Sequence, residues 1–315
     1  MKYRGVGKSG LQVSTIGLGC NNFGMRLDLE GSRAVIHAAL DAGITLFDTA
    51  DIYGGAGTSE SMMGQILGDR RKDIVLATKF GMQMDKEGVK KGASRRYIMA
   101  AVEDSLRRLQ TDWIDLYQLH APDPLTPMEE TLRTLDDLVT SGKVRYIGCS
   151  NVPAWGVADA AWISKTRGFS SFISAQDEYS LLVRKLEPEL KPAAEHYGIG
   201  ILPYFPLASG MLTGKFKKGE PMQEGTRLAA AKGAGYFDHF MTDDKFDTVA
   251  KLTEFAEARG HTVLELAFSW LLAQPIIPSV IAGATKPEQV AANVKAGDWA
   301  LTADDLAEID KIAPR

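Results

Sequence analysis

TLFDTADIYGG, residues Thr45–Gly55, decides how the rest of the chain is read. Ile44, Leu46 and Phe47 form an apolar run that breaks into an acid, Asp48, and Tyr53 follows among glycines. A buried strand that ends by presenting a carboxylate and a phenol in a glycine-rich loop makes a poor core. It makes a good site on the rim of a barrel, where functional groups come from the ends of several strands. Two later segments have the same form: DIVLATKFG, from Asp73, ends its apolar run in Lys79, and IDLYQLHAPD, from Ile114, ends in His120. Asp48, Tyr53, Lys79 and His120 are therefore expected to meet in one catalytic site.

Working outward, Gly5, Gly7 and Gly10 sit between short apolar pieces in residues 1–14, which predicts a hairpin ahead of the main fold. Strand and helix patterns then alternate. Strands are expected near 16–20, 45–48, 73–79, 113–120, 144–151, 172–176, 199–204 and 279–285. Helices are expected from Ser32 to a stop at Gly43, from an N-cap at Thr58 to Gly68, and from an N-cap at Ser94 to Gln110. Further helices are expected over about 127–141, 153–165, 187–197, 262–274, 287–296 and 302–313. Residues 205–245, rich in Gly, Lys, Met and Pro, are too long for an ordinary connection and read as a functional excursion. About eight strand–helix units imply a parallel sheet with helices outside it. Closure into a (β/α)₈ TIM barrel is the expected α/β fold, as one domain over 1–315 with an N-terminal β-hairpin and a long loop after strand 7.

The chain has 315 residues, 45% of them hydrophobic, enough for a sizeable core. Its net charge of −4 argues against a nucleic-acid partner, which calls for a basic surface. No apolar run approaches the roughly 20 residues that span a bilayer, and the N-terminus lacks the apolar segment of a secretory signal. With only Cys20 and Cys149 there is no disulfide framework, and a cytoplasmic location is expected. Gly17 and Gly19 supply the first two positions of a dinucleotide fingerprint but no third. Gly7-Lys8-Ser9 imitates a phosphate loop, yet Lys2 holds the required upstream glycine position. The five histidines show no close pairing, so no metal site is expected, and GxSxG is missing.

The four site residues suit carbonyl chemistry. A phenol with a pKa near 10 is a poor acid at neutral pH. A cation beside it is expected to lower that value, and a carboxylate holds the cation in place. Tyr53 then gives a proton to a carbonyl oxygen that His120 orients. The partner attacking the carbon is either a hydride donor or an adduct on Lys79.

At this point the chain resembles the aldo-keto reductase superfamily, on the bacterial branch near the potassium-channel β-subunits, and the match covers essentially its whole length. GITLFDTADIYGGAGTSE, residues 43–60, resembles the family signature that carries Asp48 and Tyr53; ATKFG supplies Lys79 and LYQLHAPD supplies His120. The resemblance implies a barrel that binds NAD(P)H extended, without a Rossmann domain. By the same resemblance, Ser150, Asn151 and Gln176 contact the nicotinamide carboxamide and Tyr204 stacks on its ring. Cys20 and Asn21 join the cofactor set. Pro206, Leu207, Ser209, Gly210 and Lys215 wrap the pyrophosphate, Arg227 approaches the 2′-phosphate, and Gly283, Thr285, Gln289 and Asn293 meet the adenosine end.

Two positions depart from relatives: Ala292 replaces an acidic residue, and Gly283 stands where animal aldose reductases carry a lysine. Lys215, Arg227 and Lys286 still supply positive charge, which favours NADPH over NADH. The implied activity is reversible reduction of aldehydes or ketones by an NADPH-dependent reductase, with a small-molecule carbonyl or alcohol substrate and no nucleic-acid or membrane partner. Relatives include monomers and homo-oligomers. Two alternatives stand beside it: a Schiff-base lyase using Lys79, and a redox-sensing, β-subunit-like binding protein. Asn21, Asn22, Phe23, Met25, Met82, Trp155 and Phe237 are the candidate substrate contacts.

Overall fold

The computed structural model describes residues 1–222, 224–230, 235 and 237–315. Parts of the expected excursion, residues 223, 231–234 and 236, thus lie outside the described residues.

Strands β1 (Tyr3–Gly5) and β2 (Gln12–Ser14) pair antiparallel, Tyr3 opposite Ser14, as the expected hairpin. Eight parallel strands follow among the described residues: β3 (Ile16–Gly19), β4 (Leu46–Asp48), β5 (Val75–Phe80), β6 (Ile114–Leu119), β7 (Val144–Ser150), β8 (Phe172–Glu178), β9 (Gly200–Tyr204) and β10 (Val280–Gly283). They pair in sequence order from β3 to β9, and β10 returns to pair with β3, Val280 opposite Ile16. The seam between β9 and β10 is bridged where the Ile201 N–H donates to the Ile276 carbonyl at 3.0 Å. This is the (β/α)₈ barrel.

Side chains on a strand alternate in direction, and that period divides the barrel interior into two layers. Val6 and Val13 of the hairpin pack with Leu46, Ala77, Leu116, Leu202 and Ile281, one from each of several strands, into an apolar plug at the N-terminal end. Two residues further along the same strands the inward set turns polar: Asp48, Lys79 and Gln118, with Gln176 beside them. The hairpin therefore closes the bottom, and the chemistry is left to the top. The larger core lies between the outward-facing strand residues and the helices.

Those helices are α1 (Leu29–Asp41), α2 (Thr58–Leu67), α3 (Arg95–Leu109), α4 (Met128–Thr140), α5 (Ala154–Arg167), α6 (Leu190–Tyr197), α7 (Arg227–Ala230), α8 (Asp243–Glu257), α9 (Val263–Leu272), α10 (Pro287–Ala296) and α11 (Ala303–Ile312). Ser94 caps α3 as expected, accepting from the Tyr97 N–H. Thr58 does not cap α2. Gly57 takes that position with φ of 93°, and the Thr58 hydroxyl donates instead to the Gly55 carbonyl at 3.0 Å. Helix α1 starts earlier than Ser32, because Asp28 accepts from the Gly31 N–H. Helix α6 starts at Leu190 rather than Glu187. Helix α8 was not expected at all. Its polar opening, DDK, merged with the excursion, although Val249, Leu252, Phe255 and Ala256 bury one face at helical spacing. Among the described residues no helix is long and apolar enough to cross a membrane.

Gly64 marks where α2 presses on α3: a Cβ there would lie 2.3 Å from the Arg108 carbonyl oxygen, which is backbone and cannot swing aside. Alanine is ordinarily the better helix former by about 0.5–1 kcal/mol, so the two effects oppose each other. Gly64→Ala is expected to lower stability by about 1–3 kcal/mol through overpacking. Urea denaturation midpoints of the two proteins at equal m-value check this.

Candidate active site

The polar layer at the C-terminal end of the barrel is built around one buried ion pair. Lys79 is wholly buried, and its ammonium donates to Asp48 Oδ2 at 2.7 Å and to the Thr49 carbonyl at 2.8 Å. Asp48 Oδ1 accepts from Gln176 at 2.8 Å and Gln118 at 3.3 Å. A buried charge is tolerable only when paired and hydrogen-bonded, and here both carboxylate oxygens and two ammonium hydrogens are occupied. Burial alone would lower the Lys79 pKa, but Asp48 and then Tyr53 outweigh it, and the net direction is upward. The lysine is therefore a fixed cation. It is unsuited to act as the free amine that a Schiff-base mechanism requires.

Tyr53 reaches this pair from the loop after β4. Its ring lies 5.1 Å from the Lys79 nitrogen, near enough for the ammonium to act on the phenol electrostatically. The sequence led us to expect a phenol pKa below the ordinary value. Instead, burial of the hydroxyl raises it; Lys79 pulls it down and Asp48 pushes it up again, and the net direction is upward. The ammonium limits the rise without reversing it.

His120 packs edge-on against Tyr53, ring centroids 5.8 Å apart at 84°. Burial, then the Lys79 charge, drives its imidazole down to a pKa of about 3, so the ring is neutral. Among the described residues nothing bonds its buried Nδ1. Asn151, at φ of 57°, donates from its side chain to the His120 carbonyl at 3.0 Å and accepts from the Tyr204 hydroxyl at 2.9 Å. The ends of β6, β7 and β9 are tied together by these bonds.

Asp48, Tyr53 and His120 open onto a cavity of about 980 Å³, while Lys79 stands behind them. Every cofactor residue expected from the sequence lines the same cavity: Cys20, Asn21, Ser150, Asn151, Gln176, Tyr204, Pro206, Leu207, Ser209, Gly210, Lys215, Arg227, Gly283, Thr285, Gln289 and Asn293. Asn22 and Met82, among the expected substrate contacts, line it too. Phe23 is buried in the core, and Met25 and Trp155 are exposed without lining the cavity. Phe237 instead packs with Phe205 and Phe240.

The end of the cavity remote from Tyr53 fits an anion. Residues 205–210 fold back on themselves through positive φ at Phe205, Ala208, Ser209 and Gly210, the kind of backbone that builds anion-binding concavities. The Ser209 hydroxyl is buried with no partner among the described residues. Lys215 is held below its ordinary pKa by burial and then by the charges of Arg26 and Arg227. Arg227 donates to the side-chain carbonyls of Asn21 and Asn22 at 3.3 and 3.1 Å. Arg26 was not foreseen. It lines the cavity and donates to the Gly225 carbonyl, and no spacing rule separates it from any other loop arginine. Three mutually repelling cations at one wall call for a polyanionic ligand. Among the described residues no group of His, Cys, Asp and Glu is placed to hold a metal ion.

The family profile described as aldo/keto reductase matches residues 15–314, and the chain belongs to that family. This places it among the oxidoreductases that act on carbonyl groups with a nicotinamide nucleotide. It is similar to an uncharacterized oxidoreductase, YrpG, of Bacillus subtilis, with 37% identity covering 100% of this chain and 96% of the relative. It is similar to a probable voltage-gated potassium channel subunit beta of Oryza sativa, with 36% identity over 95% of this chain and 92% of the relative. It also shares 33% identity with the L-glyceraldehyde 3-phosphate reductase of Escherichia coli, over 99% and 92% of the two chains.

Removing one member of the buried pair leaves the other charge stranded. Lys79→Met is expected to cost about 3–5 kcal/mol of stability. Adding Asp48→Asn to it should recover part of that loss, a non-additivity of the kind close neighbours show. Chemical denaturation of the two single variants and the double variant closes the cycle.

Proposed function

We propose that the protein is an NADPH-dependent reductase of aldehydes and ketones, reversible in principle, with Tyr53 as the proton donor. The observation that carries this reading is the meeting of Tyr53, Lys79, Asp48 and His120 at one end of a cavity whose other end gathers Lys215, Arg227 and Arg26. When bound, the nicotinamide nucleotide supplies the hydride. Ser150, Asn151, Gln176 and Tyr204 would hold its nicotinamide end. The 205–215 segment would hold the diphosphate, and Arg227, Thr285, Gln289 and Asn293 the adenosine end.

The protein's own part is to place the carbonyl and deliver the proton. The substrate oxygen docks between the Tyr53 hydroxyl and the neutral His120 ring, which orients it without adding charge. As the carbonyl carbon gains its hydrogen, the Tyr53 O–H bond breaks and the proton passes to the oxygen. The phenolate left behind is stabilised by the Lys79 ammonium, which Asp48 keeps from moving. Solvent then returns a proton to Tyr53, and an alcohol leaves.

A second reading, a nicotinamide-responsive binding protein, is favoured by the channel-subunit names of plant relatives. His120, a hydrogen-bonding ring at the carbonyl position, favours turnover. A panel of aldehydes and ketones followed by loss of reduced-nicotinamide absorbance separates the two, since a binding protein would show none. Tyr53→Phe is expected to lower kcat by about 10²-fold or more while NADPH still binds, as fluorescence titration would show.

Arg26 gives a separate check on nucleotide choice. As an exposed cation it contributes modestly, and Arg26→Gln is expected to weaken NADPH binding about 5-fold, roughly 1 kcal/mol. The effect on NADH should stay under about twofold, because the charge-assisted contact proposed for Arg26 is to the 2′-phosphate, which NADH lacks. Isothermal titration with each nucleotide measures both.

A further inference from the structure

The loop that delivers Tyr53 has an outer side as well as an inner one, and residues on the outer side take no part in the carbonyl chemistry. The Thr49 and Ser59 hydroxyls bond at 2.8 Å, Ser59 donates to the Cys20 carbonyl at 2.9 Å, and the Ser59 N–H donates to the Tyr53 carbonyl at 3.1 Å. Between them lies Asp51. Its N–H donates to the carbonyl of Lys79 at 3.1 Å, tying the tyrosine loop to the very residue whose ammonium meets the phenol.

The Asp51 side chain is 1% exposed and poorly supported. Oδ2 accepts one long bond, 3.4 Å, from the Tyr97 hydroxyl, and Oδ1 has no partner among the described residues. Beside it, Glu60 of α2 is also fully buried but well supplied: Thr78 of β5 donates to Oε1 at 2.6 Å and Arg108 of α3 to Oε2 at 2.7 Å. Two carboxyls thus face one guanidinium, and Glu60 has it. The remaining groups that bear on this cluster are Tyr97 and Asp104 of α3 and Tyr117 of β6, whose hydroxyl has no partner among the described residues; Asp104 is turned out to Arg107 at 2.8 Å. None offers Asp51 a counter-charge. An ionised carboxylate with one 3.4 Å side-chain donor and a weak pull from the Ile52 N–H has lost its hydration for little in return.

We propose that Asp51 is a positioning residue that works as an uncharged acid: it seats the Tyr53 loop while it keeps its proton, and ionising it unseats the phenol from Lys79. This rests on reading Tyr53 as the proton donor. Expelling the carboxylate from the cluster pulls on a segment only two residues from Tyr53 and strains the Asp51 N–H bond to Lys79. The direction of titration agrees: burial, then Glu60, raises the Asp51 pKa to about 8, against the pull of Arg108.

The test compares wild type with Asp51→Asn and Asp51→Ala, using NADPH and p-nitrobenzaldehyde as the probe pair. Wild-type kcat is expected to fall above about pH 8, with KM for NADPH unchanged, as one essential proton is lost. Asparagine, neutral at every pH and of the same shape, should restore kcat at pH 7 to within about twofold and move that fall upward. Alanine should lose about tenfold in kcat with NADPH affinity intact. Coincident profiles of wild type and Asp51→Asn between pH 7 and 9, or asparagine losing as much as alanine, would overturn the proposal.

Thermal melting provides a readout independent of turnover. A carboxyl whose folded pKa is raised holds a proton that the unfolded chain has released, so wild-type stability falls as pH rises from about 4 to about 8. The advantage of Asp51→Asn in Tm should therefore grow between about pH 5 and 8 and then level off. A constant difference would sink the neutral-acid assignment. Absence of turnover across the carbonyl panel in wild type would count instead against the reductase reading, and the melting comparison would still decide the state of Asp51.

Discussion

The Lys79–Asp48 pair sets the terms for everything around it. A lysine with no exposure at all, inside a closed sheet, must keep a counter-ion within bonding distance or give up its proton. The barrel meets that demand by spending three strands on it: β4 supplies the carboxylate, β6 and β8 supply Gln118 and Gln176 to the carboxylate's other oxygen. The pair in turn accounts for the split of the barrel interior. An apolar plug below excludes water from the charges, and the polar layer above gives the charges neighbours. Asp48 and Lys79 sit on strands, His120 directly follows β6, and Tyr53 comes from the loop after β4. The fixed cation under it is what gives its position chemical meaning.

Charge is distributed in the cavity in a way the whole-chain balance conceals. The net charge is −4, yet one wall of the cavity collects Arg26, Lys215 and Arg227, with Lys286 also on its lining. These cations come from the β3–α1 loop, the excursion after β9 and the start of α10, so no single stretch looks basic. Two of them also stitch loops together across the opening: Arg26 reaches Gly225, and Arg227 reaches Asn21 and Asn22. An anion bound there would exchange these contacts to neutral carbonyls for ion-paired ones. That exchange makes recognition stronger while the same cations hold the loops together through their carbonyl contacts.

Much of this was legible in the sequence because it follows from periodicity. Apolar strands ending in Asp48, Lys79 and His120 announce a barrel rim, and glycine stops and a Ser94 cap place helices well. What escaped was set by contacts rather than patterns. Gln118 and Gln176 are ordinary strand glutamines until the barrel closes and turns both onto Asp48, though family resemblance had singled out Gln176. Arg26 becomes a site residue only when the excursion folds over it. Helix α8 was missed because its acidic first turn reads as loop. Thr58 has the chemistry of a cap, but the left-handed turn at Gly57 leaves its hydroxyl facing Gly55. The phenol of Tyr53 was misjudged for a related reason: the sequence names the cation beside it and says nothing about how much hydration the folded site takes from the phenol.

The segment from Asp48 to Glu60 serves two interiors at once, and this explains why it is so rich in polar residues for a buried stretch. Asp48 and Tyr53 face the cavity. Thr49, Asp51, Ser59 and Glu60, all nearly inaccessible, face the layer between the barrel wall and helices α2 and α3. Ser59 bonds the Cys20 carbonyl and the Thr49 hydroxyl, Glu60 pairs with Arg108, and Asp51 takes a long bond from the Tyr97 hydroxyl. A loop held only by apolar packing could slide by a fraction of an ångström with little penalty, since dispersion contacts are not directional. Hydrogen bonds and a buried ion pair are directional, and their loss in the interior is expensive. Fixing the Tyr53 loop from behind with polar contacts therefore gains precision of placement at a cost in stability, most visibly at Asp51, whose carboxyl finds so little there to bond.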